Sequence, residues 1–137
     1  MAWLEPDPNR VATRHVQVFV PSVDRDELPI PKGQDYWVTE FLGLMGKLFG
    51  GATAFPPARG VWYDDERDHL VYDNTVIVFS YVVEADLRGD AGRALHDLLM
   101  RMGREAKQGE VGIFVDGTYF GFREFAIRGP ETDDFNA

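Results

Sequence analysis

The chain has 137 residues, 45% hydrophobic and 27% charged. That is one ordinary domain with enough apolar material for a core, and too much for wholesale disorder. Fourteen basic against 23 acidic side chains leave a net charge of −9. This balance argues against an electrostatic grip on nucleic acid, which needs clustered Lys and Arg, and against anionic membrane surfaces. It fits a well-solvated cytosolic protein, or one whose partner is basic. The absence of cysteine excludes disulfides, thiolate nucleophiles and cysteine-ligated zinc or iron–sulfur sites.

Residues 1–13, proline- and acid-rich, read as an N-terminal arm with Trp3 and Leu4 as docking side chains. They carry no basic and apolar leader pattern, and no apolar run approaches the roughly 20 residues of a membrane span. Cytoplasm is therefore the expected location. Residues 14–130 form the expected single α+β domain, and 131–137 an acidic tail.

From Arg14 to Val20 the chain alternates, with Val16, Val18 and Val20 on one side and His15, Gln17 and Phe19 on the other. Period two is the mark of a strand. Asp35 to Phe49 places Val38, Phe41, Leu42, Met45, Leu48 and Phe49 at spacings of three and four, which predicts a helix stopped by Gly50-Gly51. Ala52 to Trp62 is extended but interrupted by Pro56-Pro57, as an edge strand or bulge would be. The acidic run Asp64-Asp65-Glu66-Arg67-Asp68 reads as a solvated hairpin connection, since it lacks the glycine and terminal glutamate of a calcium loop.

Leu70 to Glu84 is the longest strand signal, apolar on both faces near its middle, which predicts a central strand covered on each side. A second helix is expected over 90–107 with Ala91, Leu95, Leu98, Leu99 and Met102 buried, then a strand over Val111–Val115. Asp116-Gly117 predicts a two-residue type I′ turn, because both central residues of that turn need positive φ. Thr118 to Ile127 returns antiparallel.

The order is that of a ferredoxin-like βαββαβ sandwich, with a mainly antiparallel sheet, an extra C-terminal hairpin strand and both helices on one sheet face. The valines at 16, 18, 76, 78 and 82 are too many for two helices to cover if the opposite faces are apolar too, so a homodimer through an open sheet face is expected. The N-terminal arm and terminal hairpin are the alternative covers.

No stretch is a specific catalytic, nucleotide-binding or metal-binding signature, and neither a metal nor another cofactor is expected. His15, His69 and His96 are far apart and lack a metal-ligand spacing. The candidate ligand-binding residues are Thr53, Trp62, Tyr81, Arg104, Gln108 and Glu110, a Trp–Tyr pair with Arg and Glu that suits a small polar ligand. The competing reading packs Trp62 and Tyr81 in the core and leaves Arg104 and Glu110 in surface pairs.

Gly51-Ala52-Thr53, Gly60-Val61-Trp62 and the run from Leu70 to Val78 resemble the core of a group of small bacterial α+β domains. The resemblance covers residues 47–115 and implies a fold, without an activity. Functionally, a non-enzymatic homodimeric binding or interaction protein is the first expectation. The alternatives are a small-molecule enzyme of the dimeric α+β barrel type, with His15, Tyr81 or His96 as proton shuttles, and a small-ligand sensing or sequestering module.

Overall fold

The computed structural model describes residues 14–125. The N-terminal arm, the residues from 126 to the domain's expected end and the acidic tail lie outside the described residues. In chain order the elements are β1 (Arg14–Val20), α1 (Gln34–Phe49), β2 (Thr53–Ala54), β3 (Ala58–Asp64), β4 (His69–Val82), α2 (Glu84–Leu87), α3 (Asp90–Glu105), β5 (Val111–Val115) and β6 (Thr118–Phe122). The six strands make one antiparallel sheet in the order β2-β4-β1-β5-β6, with β3 on the same flank of β4 as β2.

The alternation of β1 survives intact. Val16, Val18 and Val20 are wholly buried, and they register with Ser80, Val78 and Val76 of β4. This valine face is roofed by the helices. Trp37, Phe41 and Met45 of α1, with Leu95, Leu99 and Met102 of α3, join the valines in a single core cluster. Burying each such side chain is worth about 1.5–3 kcal/mol, so this face carries most of the fold's apolar stabilisation.

The valine face is therefore no interface, because the two helices do cover it. For β4, expected to be covered on both sides, the described residues place α1 and α3 on the valine face alone. The opposite face of the sheet, carrying His15, Gln17, Phe19, Ile77, Phe79 and Tyr81, has no helix over it among the described residues. Its aromatics cover one another instead: His15 meets Phe79 edge-on at 4.6 Å and stacks on Tyr81 at 5.5 Å, and Phe79 meets Tyr81 at 4.9 Å between ring centroids. Edge-to-face pairs of this kind stabilise beyond the area they bury.

Pro56-Pro57 splits the expected second strand in two. Thr53 and Ala54 register with Phe79 and Val78, whereas Ala58 registers with Thr75. Three residues (55–57) thus stand against two (76–77), a bulge that bends the strand where neither proline has an N–H to pair. Beyond it, β3 and the first half of β4 run on as a two-stranded arm past the helices. The Asp116-Gly117 turn has φ of 50° and 82°, positive at both central residues, and it joins Val115 to Thr118. No helix among the described residues is long and apolar enough to cross a membrane.

Candidate functional site

The arm curls so that its inner face, carrying Gly60, Trp62, Asp73 and Thr75, continues the open face of the sheet. Opposite it stand the strand leading out of α3 and the β5–β6 hairpin. Between them lies a cleft of about 300 Å³, walled by Phe19, Trp62, Asp73, Gln108, Glu110 and Tyr119.

Two glycines shape these walls. A Cβ at Gly109 would lie 3.3 Å from the Trp62 ring, so the bare backbone there gives the indole its seat. At Gly112 a Cβ would fall 2.4 Å from the Tyr119 ring. Tyr119 can lie across that strand only because the side chain is missing, and the position of its phenol follows.

The Tyr119 hydroxyl donates to Glu110 Oε2 at 2.6 Å, and Arg123 Nε donates to Glu110 Oε1 at 2.9 Å. Burial, and then the hydrogen bond to Glu110, push the Tyr119 phenol far above its usual range, so it stays a proton donor. On the facing wall Asp73 Oδ1 accepts from the Ser22 N–H at 2.8 Å and the Ser22 hydroxyl at 2.5 Å. Gln108 donates its amide to Val23 O at 2.9 Å and Ala106 O at 3.0 Å, which tethers the 22–29 loop to the end of α3. Asp64, buried at the arm's tip, lies 3.6 Å from Arg67 Nε and 4.0 Å from Arg25. Arg67 also bridges to Asp26 at 2.6 Å, and His69 pairs with Glu27. These contacts hold the arm against the loop.

Of the residues expected at a ligand site, Trp62, Gln108 and Glu110 line this cleft. Thr53 and Tyr81 share the same sheet face but sit around Phe79, away from it. Tyr81 is 62% exposed. Arg104 donates to Phe125 O at 2.7 Å. Asp73, Thr75 and Tyr119 were missed. The signal for Asp73 and Thr75 was two polar residues on the same face of a long apolar strand as Val71 and Ile77.

The cleft pairs two carboxylates with three aromatic rings, and no Lys or Arg is among its lining residues. Glu110 has Arg123 beside it; among the described residues Asp73 has Ser22 and no basic side chain in hydrogen-bond contact. Such a cleft is electrostatically suited to a cation, with indole and phenol faces adding cation–π attraction. The histidines lie elsewhere: His15 in the aromatic cluster, His96 buried on α3 against Phe122, His69 at the arm's tip. Among the described residues no three His, Asp or Glu side chains are grouped to hold a metal ion.

No family model and no curated protein matches the chain. Solved structures do. A phage SAM lyase in complex with S-methyl-5'-thioadenosine superposes with a TM-score of 0.60 at 15% identity, over 80% of this chain and 88% of that one. The apo state of a phage SAM lyase gives 0.58 at 14% identity, over 91% and 99%. At these identities the likeness is one of fold.

Proposed function

We propose that this chain is a small-ligand-binding protein whose concave cleft takes an organic cation bearing a flat ring. The observation that carries this reading is the Asp73 carboxylate set among Trp62, Tyr119 and Phe19 in a cleft with no basic side chain in its lining. A monocation stabilises Asp73, and a ring stacks on the indole. S-adenosylmethionine, a sulfonium carrying an adenine ring, has both features, and the similar folds make it the first ligand and lyase chemistry the first activity to assay. The enzyme alternative is thus favoured over a purely non-enzymatic role, with Tyr119 as the proton donor nearest the cleft.

The fold reading goes with it. With β2 and β3 taken as one interrupted strand, the order β5-β1-β4-β3 supports a ferredoxin-like sandwich that β6 extends at one edge. The likeness of the 47–115 core to small bacterial α+β domains fits the same architecture.

The test is calorimetric titration with S-adenosylmethionine and with neutral S-methyl-5'-thioadenosine, alongside chromatography of the reaction mixture. Binding of the sulfonium is expected, and Asp73→Asn should weaken it at least about tenfold while changing the neutral thioether less. Absence of binding by both compounds overturns the adenosyl reading; equal losses for both overturn the role of Asp73.

A further inference from the structure

The outer face of the arm presents a second site, independent of what the cleft binds. Alternation along β3 and the first half of β4 puts Arg59, Val61 and Tyr63, with Leu70 and Tyr72, on the face opposite to Trp62 and Asp73, with Val61 also bordering the cleft. Val61 stands directly across from Tyr72, and Tyr63 from Leu70. All four are exposed, by 54, 63, 53 and 48% respectively. Four contiguous apolar side chains exposed on this outer face form a patch of the kind that marks an interaction surface.

The ends of the patch carry opposite charge. Arg59 lies at the root and makes no ion pair among the described residues. Asp68 lies at the tip, held on this face by the Tyr63 hydroxyl at 2.6 Å. From root to tip the face therefore reads cation, apolar pair, apolar pair, anion. Such a pattern is complementary to itself after a two-fold rotation. An antiparallel copy sets its Asp68 against Arg59, its Tyr63–Leu70 pair against Val61–Tyr72, and the converse at the other end. Isologous contacts have this property: each residue meets the match of its own partner. Beside Val61 and Tyr72 the surface is hollow, about 450 Å³ lined also by Arg59, Asn74, Ser22 and Val23 and reaching Asp73 at the cleft's rim, which is room for the partner's Tyr63.

We propose that a second copy of this chain docks arm to arm on this face, about a two-fold axis. Seven residues of β3 at about 3.3 Å each, and two strands about 4.8 Å apart, give a footprint of about 23 by 10 Å on each copy, a contact of several hundred Å² in total. That is smaller than a standard specific interface, so the dimer is a weak one, populated toward submillimolar concentration. The aromatic sheet face is the weaker candidate, because it lacks charge complementarity and its rings already pack on one another.

Sedimentation velocity of the full chain from micromolar to submillimolar concentration tests this, with thermal melts to verify folding. The wild type should dimerise, and Arg59→Glu or Asp68→Lys alone should weaken the dimer by about tenfold or more. Mixing the two variants should restore it, since in the mixed dimer one contact is reversed and the other native. A wild-type monomer throughout the range overturns the proposal. So does a dimer untouched by both charge changes, or two weakened variants that fail to recover on mixing. Tyr72→Asp, folded but monomeric, is the second supporting result; a Tyr72→Asp dimer of wild-type strength counts against it.

Discussion

The two halves of β4 share one backbone and one alternation, yet they live in different solvents. From Val76 to Val82 every second side chain is sealed under the helices, while in the same register Leu70 and Tyr72 stand in water. Hydrophobicity therefore does not decide burial along this strand; the reach of α1 and α3 does. What the helices cover becomes core, and what extends past them is free for contacts with other molecules.

The sharpest way to break this comparison is to place the same charge at both ends. Val78→Asp, which sets a charge at a wholly buried position among apolar side chains, should cost more than about 3 kcal/mol and leave the protein largely unfolded in a urea melt. Tyr72→Asp should stay within about 1 kcal/mol of the wild type. Similar losses at the two sites would mean that the arm is structurally part of the core.

Gly92 tests how tightly the covered half is built. A Cβ there would meet the Leu87 carbonyl oxygen at 2.0 Å, and main chain cannot swing aside. Gly92→Ala should therefore cost about 1–3 kcal/mol in chemical denaturation. At the edge of the sheet, Gly117→Val puts a β-branched residue at φ 82° and should cost about 1 kcal/mol or more. An unchanged melting temperature would show that the turn relaxes to another form.

The smallest effect concerns acid. Arg14 donates to Glu84 at 2.7 Å and to Asp116 at 2.8 Å, and these hydrogen bonds hold both carboxyls below their ordinary values of 4.5 and 3.8. A depressed folded-state value means stability that is present above the ordinary value and lost as pH falls through the folded one. Arg14→Ala should thus be less stable than the wild type at neutral pH, with the two melting curves converging below about pH 4. A gap that persists in acid would assign the loss to packing.

Much of the fold was legible because its signals are local. Arg14–Val20 and Val111–Val115 appear where alternation and apolar runs put them, and the Asp116-Gly117 turn follows from a dipeptide. The helical stripes gave α1 and α3 to within two residues at each end. What was illegible is relative length. Nothing in residues 69–82 says where the helices stop, so the covered valines were mistaken for an exposed face. The cleft was half readable for the same reason. Trp62, Gln108 and Glu110 come together, while Tyr81 and Thr53 stay farther up the sheet and Arg104 faces elsewhere. Tyr119 was hidden because its position depends on the bare backbone at Gly112, its diagonal neighbour across the hairpin.

The central position of β1 has a consequence for how the chain is made. Val18 pairs on one side with Val78 and on the other with Ile113, and Arg14 meets Asp116 across 102 positions. At about 5–20 residues per second, the first strand leaves the ribosome on the order of 5–20 s before its second neighbour is synthesised. Until β4 follows, the three core valines of β1 have no strand to pair with, and the sheet stays incomplete on the other side until β5 is made. Assembly is thus a late, long-range event that sets the folding rate. Among the described strands, β1 therefore waits longest for its full set of neighbours.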